Sequence, residues 1–176
     1  IIRGYPSSLY NFVNFIDGAE AIKNLNIKTV ISQAETLFDY QRKKIETVLG
    51  AKVFNMYSQW EWVCIGMECE YGNMHHQMEN GVLEILDSNN NLLSDGTSGE
   101  ITATGFYNRT MPLIRYKLGD LATKGKSYCE CGRAHDIITG IDGRTEDIII
   151  TPDNKFVSGI NNAFKYNTGF DFAQII

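Results

Sequence analysis

Apolar positions recur along this chain with two different periods. Leu9, Phe12, Val13 and Ile16 fall on one helical face, with Ser7 or Ser8 placed to cap its start and Asp17-Gly18 to end it. Ala19 to Leu25 reads as a short second helix, and Ile27 to Ile31 as a buried strand. Leu37, Tyr40, Gln41, Ile45, Val48 and Leu49 again keep helical spacing, and Gly50 supplies a C-terminal stop. Lys52 to Tyr57 is a further strand. Strand, helix and strand in this rhythm predict an α/β layer with a parallel sheet. Ligands of such sheets bind beyond the strand C-termini, which puts Ala34-Glu35 and Tyr57 on one rim.

After Glu61 the period shortens. Trp62 to Met67, Val82 to Leu86, Gly99 to Thr104, Leu113 to Tyr116 and Ile137 to Ile141 read as short strands. Asp87-Ser88-Asn89-Asn90-Asn91 and Ser94-Asp95-Gly96 are turn signals between them. The expected product is a small antiparallel β unit resembling a distorted barrel. Past Arg144 the pattern changes once more: a strand from Asp147 to Thr151, a turn at Pro152-Asp153-Asn154, Lys155 to Val157, and a helix from Ile160 to Tyr166. The expected division is therefore 1–61 (α/β), 62–145 (β unit) and 146–176 (start of an α+β C-terminal domain).

Composition narrows the function classes. The 176 residues carry 43% hydrophobic and 21% charged side chains, ordinary for a globular protein. A net charge of −5 argues against a nucleic-acid surface. No apolar run approaches the roughly 18 residues that suggest a membrane span, and Ile1 to Gly4 have no signal-peptide pattern. Four cysteines at uneven spacing suit a reducing compartment and a metal better than disulfides, so the expected location is cytoplasmic.

Three short segments stand at the ends of these elements: Tyr57-Ser58-Gln59-Trp60-Glu61, Arg115-Tyr116-Lys117-Leu118-Gly119-Asp120 and Gly143-Arg144-Thr145-Glu146-Asp147. Singly each is an ordinary loop sequence. In this order, with strands between them, they resemble the nucleotide-binding motifs of the adenylate-forming (acyl-CoA synthetase-like) enzymes. The surrounding text narrows the match: Tyr5-Pro6-Ser7-Ser8, Glu68-Cys69-Glu70 followed by His75, Pro112-Leu113-Ile114-Arg115-Tyr116, and Cys129-Glu130-Cys131-Gly132-Arg133. Together these resemble the phenylacetate–coenzyme A ligase and CapK-type family, through nearly the whole chain.

The resemblance implies roles. Tyr57 would pack on adenine, as an aromatic face can, and Glu61 would serve catalysis by helping to hold the Mg²⁺ that neutralises ATP phosphates. Ser58 replaces the usual glycine, and Trp60 stands where a small hydroxyl residue is expected. The bland reading of this pair is a strand-end Tyr and a solvated Glu. Asp120 would accept hydrogen bonds from both ribose hydroxyls, with Gly119 letting the backbone turn; otherwise it caps a turn. Arg144 suits the ribose and phosphate end of a nucleotide. Glu146 falls at the family's hinge, although a surface Glu would look the same. Ala34-Glu35 resembles the segment whose backbone lies along adenine, or else is a plain strand-to-helix turn with Thr36 as cap. Arg115 reads as a structural ion-pair partner, and His76 and His135 as surface or supporting groups.

Cys69, His75, Cys129 and Cys131 form a second constellation. Thiolates and imidazole suit tetrahedral Zn²⁺, and four protein ligands make the site structural. Cys-x-Cys is tighter than the usual gap, and related sequences of the family carry the same text. The alternative is buried free thiols with an exposed His. Cys64 reads as a small core residue.

The implied function is a part of an ATP-dependent carboxylic acid–CoA ligase that forms an acyl-adenylate and then a CoA thioester. Its ligands would be ATP/AMP, Mg²⁺, coenzyme A, structural Zn²⁺ and a carboxylic acid, for which an aromatic one is allowed; no nucleic acid or membrane partner is expected, and a homodimer is allowed. The rivals are a CapK-type adenylate-forming protein of surface-polysaccharide synthesis and a non-catalytic zinc-stabilised module that binds a partner protein. No segment matches the Ser/Thr/Gly-rich phosphate loop of such enzymes, and their late catalytic Lys would fall beyond Ile176. The 176 residues alone are therefore expected to be inactive.

Overall fold

The computed structural model describes residues 1–19, 25–126, 128–144, 149–150 and 156–157. The chain opens with β1 (Ile2–Gly4), α1 (Pro6–Ile16), β2 (Thr29–Gln33), α2 (Asp39–Leu49) and β3 (Lys52–Ser58). β1, β2 and β3 are parallel, with Ile2 opposite Val30 and Val30 opposite Val53. The two helices cross over on the sheet and bury Leu9, Val13, Ile45 and Leu49 against Val30 and Val53. Helix α1 begins earlier than the serines suggest. Pro6 occupies its first turn, where a missing N–H costs nothing. The Ser7 N–H donates to the Glu35 carboxylate at 3.2 Å, so the capping group comes from another element. Helix α2 starts after Phe38 rather than Thr36, and the Gln41 side chain accepts the Phe38 N–H at 3.1 Å. Gly50 ends α2 in the left-handed conformation (φ 60°) with its N–H on the Glu46 carbonyl at 2.9 Å. The short helix expected at Ala19–Leu25 lies almost wholly outside the described residues.

The second half adds β4 (Ile65–Glu68), β5 (Met74–His76), β6 (Gly81–Leu86), β7 (Ser98–Gly105), β8 (Tyr116–Lys124) and β9 (Ile137–Arg144). These strands are antiparallel, and they continue the first sheet instead of closing a barrel. One nine-stranded mixed sheet runs in the order β1-β2-β3-β4-β5-β9-β8-β7-β6. Closure into the expected barrel-like unit is not seen among the described residues. The core here is Val63, Cys64, Ile85, Ile101, Ala103, Ala122 and Ile138. The turn signals fold as read: Asp87 Oδ1 accepts the N–H groups of Asn89 and Asn91, both at 2.8 Å.

Two strands start later than their apolar runs. Trp62 (φ 54°) and Arg115 (φ 48°) take left-handed backbone, which cannot sit in an extended ladder, so β4 begins at Ile65 and β8 at Tyr116. Past Arg144, β10 (Ile149–Ile150) and β11 (Phe156–Val157) pair antiparallel, in keeping with two strands expected there. The helix expected at Ile160–Tyr166 and the rest of the expected C-terminal domain lie outside the described residues. No described helix is long and apolar enough to cross a membrane.

Candidate nucleotide cleft and cysteine–histidine cluster

A cleft of about 1070 Å³ opens at the C-terminal ends of β2 and β3. The side chains or backbone of Ala34, Glu35, Tyr57, Glu61, Asp120 and Arg144 all line it. Separate parts of the fold bring them there. Tyr57 comes from the end of β3, and Ala34 (φ 65°) turns the chain out of β2. Asp120 is delivered by a bulge and not by the expected turn. β8 faces β7 with Leu121 opposite Glu100 but Lys117 opposite Thr102, so extra residues sit on β8 between these pairs. Gly119 (φ 71°) supplies the backbone conformation that the bulge needs. Asp120 then pairs in register with Arg144 of β9.

The Tyr57 hydroxyl donates to Asp120 Oδ2 at 2.6 Å, while Arg144 Nε lies 3.7 Å from Oδ1. The Asp120 side chain is 15% exposed, so its charge is largely withdrawn from water and compensated by these two groups. Burial first, and then the neighbouring carboxylate, push the Tyr57 phenol well above its ordinary pKa. Glu61 stands at the rim, where the Tyr116 hydroxyl donates to it at 3.4 Å. Trp60 beside it is 93% exposed. Glu35 spends a carboxylate oxygen on the start of α1, which leaves its backbone for the cleft wall. Glu146 lies outside the described residues.

The cleft also contains groups that sequence reasoning missed. Glu68 receives both Arg42 Nη2 bonds at 2.9 Å and the Asn55 N–H at 2.7 Å. Asn55 Oδ1 is buried against the cleft with no hydrogen-bond partner. Asn55 lies two positions before Tyr57 on β3, hence on the same face, and that spacing alone could have flagged it. Arg115 makes the expected ion pair, reaching Glu84 at 3.0 and 3.2 Å away from the cleft. Cys64 is a core thiol, pushed up to about 12 by burial.

The ligand atoms of Cys69, His75, Cys129 and Cys131 lie within 4.8 Å of one another. Cys69 Sγ and Cys129 Sγ are 3.8 Å apart, and Cys131 Sγ is 3.4 Å from His75 Nε2. His75 is fully buried, not exposed, and its Nδ1 meets the His135 carbonyl at 3.2 Å, which leaves Nε2 facing the thiols. Asn73 Nδ2 donates to Cys129 Sγ at 3.2 Å. Of the two readings of His76, surface or supporting group, burial rules out the first: it is 1% exposed, with Nε2 on the Gly81 carbonyl at 2.9 Å. His135 does act as a supporting group, through its backbone, and its ring pairs with Glu79 at 3.3 Å.

No family model matches the chain. It is 27% identical to Protein CapK of Staphylococcus aureus over 161 residues, covering 91% of this chain and 34% of CapK. It is 31% identical to the phenylacetate–coenzyme A ligase of Thermus thermophilus over 133 residues, covering 73% of this chain and 30% of that protein. The chain is a homologue of both. It spans about a third of the length of these relatives. Among solved structures, 2-hydroxyisobutyryl-CoA ligase in complex with 2-HIB-AMP superposes with a TM-score of 0.75 at 24% identity, over 96% of this chain and 38% of that one. The anthranilate CoA ligase AuaEII in complex with anthranoyl-AMP does so with a TM-score of 0.62 at 12% identity, over 90% and 32%. At those identities the likeness speaks to the fold alone, which matches a portion of these two ligase structures.

Proposed function

We propose that this chain is the nucleotide-holding portion of an ATP-dependent carboxylic acid–coenzyme A ligase, one that makes an acyl-adenylate and then a CoA thioester. The observation that carries the reading is the convergence of Ala34, Glu35, Tyr57, Glu61, Asp120 and Arg144 on one cleft from distant points in the chain. The Asp120 carboxylate grips the ribose hydroxyls, and Arg144 balances negative charge beside it. The Tyr57 ring offers the adenine a face. The rim carboxylate of Glu61 is placed to hold Mg²⁺, which when bound would neutralise phosphate charge. Glu146 remains the proposed hinge, with residues 146–176 as the start of a C-terminal domain. The chain's own contribution is positioning, since contacts to adenosine are made about equally before and during the reaction.

The cysteine–histidine cluster is proposed as a structural Zn²⁺ site. Tetrahedral thiolates at about 2.3 Å from zinc lie about 3.8 Å from one another, and Cys69 and Cys129 Sγ are 3.8 Å apart. His75 offers Nε2 in the tautomer that its carbonyl partner selects. Four free cysteines fit a cytoplasmic location.

Titration calorimetry with AMP tests the nucleotide reading. The wild-type chain should bind AMP, and Asp120→Ala should weaken binding by roughly 10- to 100-fold, the scale of a lost charge-assisted hydrogen bond. Equal binding by the variant overturns the placement of the site. No pyrophosphate exchange is expected from these residues alone. A CapK-type acid is the second reading, favoured by the longer match, which covers 91% of the chain. In a protein of the relatives' length, CoA consumption with phenylacetate but not with sugar acids would favour the first.

A further inference from the structure

The nine-stranded sheet is weakest in its middle. β5 has three residues and meets β9 through only two pairs, Met74 with Ile138 and His75 with Ile137. This seam separates the two walls of the cleft. Tyr57 and Asn55 belong to β3 on one side; Asp120 and Arg144 belong to β8 and β9 on the other. The small apolar cluster at the seam is Cys69, Cys129 and Ile137 with Cys131 packed against it, so most of its members are the candidate metal ligands. Thiols are weak hydrogen-bond donors, and without an ion they add little to two ladder pairs.

The cluster is placed to strengthen this junction. Cys69 follows β4, His75 lies within β5, and Cys129 and Cys131 come from the loop between β8 and β9. One ion would therefore tie β4 and β5 to the chain that leaves β8 and enters β9. It would do so directly behind the cleft: successive residues of a strand point to opposite faces, so Met74 lines the cleft while His75 joins the cluster.

We propose that an ion held by Cys69, His75, Cys129 and Cys131 staples the β5–β9 seam and thereby sets the spacing of Tyr57 and Asp120 across the nucleotide cleft. The proposal rests on the zinc and nucleotide readings above and adds a coupling between them. Two ligands that favour the same closed seam must help each other by the same factor. AMP should therefore hold the metal in place as strongly as the metal improves AMP binding. The parallel layer of β1–β3 with α1 and α2 has its own apolar core and should not respond.

The test compares zinc-loaded chain, chain stripped with 1,10-phenanthroline, and stripped chain given Zn²⁺ again. AMP affinity, amide hydrogen exchange and metal release are read in each. Stripping is expected to weaken AMP binding at least tenfold and to speed exchange at Met74–His76 and Ile137–Ile138. Val30 and Val53 amides and the helical circular dichroism should stay unchanged, and Zn²⁺ should restore all readouts. Saturating AMP should slow zinc release to the chelator. Cys131→Ser, at the partly exposed ligand, should mimic stripping without rescue. Zinc-loaded and stripped chains that bind AMP alike, with the same exchange at the seam, overturn the staple while leaving both parent readings intact. Loss of the helical signal along with binding also overturns it, because the ion would then hold the whole fold. Purified, unchelated protein without zinc removes the zinc reading and this proposal together. A zinc-loaded chain that ignores AMP removes the nucleotide reading and the cleft half of the proposal, and the exchange data still decide the seam.

Discussion

In the parallel layer, Leu9, Val13, Ile45 and Leu49 from two helices close over Val30 and Val53, and the sheet there is covered by helices on the face that carries its core. In the antiparallel half there is no helix among the described residues; Val63, Ile85, Ile101 and Ile138 bury one another between strands, and the cysteine–histidine cluster lies beside them as a separate group. Both regions remove apolar area from water, but the first does so with helices laid on a sheet and the second with the faces of its own strands. The candidate site draws on both. Its β3 wall inherits the rigidity of a packed core, and its β8–β9 wall depends on a bulge and a two-pair seam.

The sharpest way to break this contrast is at the cluster. Structural zinc contributes on the order of 10–16 kcal/mol in small peptides, so Cys129→Ser should cost the largest amount of any single change. Chemical denaturation followed by tryptophan fluorescence should show an early transition in the antiparallel half, with helical dichroism lost later. A single unchanged transition would show that the two regions do not differ as described. Next in size is Ile45→Ala in the parallel core, fully buried, expected to cost about 2–5 kcal/mol. Its zinc content should equal wild type; a lower content would mean the halves are coupled through the core.

A smaller effect is expected from Asp120→Ala, which should reduce AMP affinity by roughly 1.5–3 kcal/mol with little change in the melting of the parallel layer. Tyr57→Phe should cost less, about 0.5–1.5 kcal/mol, and should carry a pH signature. Burial and Asp120 raise the Tyr57 phenol, so the unfolded chain loses that proton first, near pH 10 as in model peptides. The stability it contributes is complete below that pH and declines as pH rises above it. Melting temperatures of the Phe variant should therefore fall less steeply in alkali than wild type; parallel curves would argue against the buried hydrogen bond. Smallest of all is Arg115→Ala. Its ion pair with Glu84 is 53% exposed on the Arg side, and such pairs are worth about 0–1 kcal/mol.

The parallel layer was legible in the sequence because helical spacing over Leu37–Leu49 and the Gly50 stop are local signals. The residues that meet at the cleft were legible because their segments occur in a recognisable order. What escaped is mostly non-local. β5 has three residues, too few to show any period, yet it joins the two halves. The Arg42–Glu68–Asn55 network links three elements through contacts that no spacing announces. His76 follows His75 in a strand buried on both faces, which rules out the surface half of its reading as a surface or supporting group. Barrel closure was inferred from many short strands, which an open sheet supplies equally well.

The bulge in β8 makes that strand tolerant of one kind of change and intolerant of another. Substitutions that keep Gly119 and Asp120 leave the register intact, but the count of residues between Lys117 and Leu121 fixes which side of the sheet Asp120 occupies. Loss of one residue would shift the alternation by one place and swing the carboxylate to the far face. Loss of two would restore the alternation and flatten the bulge. Across descendants of this chain, the segment should therefore keep Gly119 and Asp120 and hardly vary at all in length.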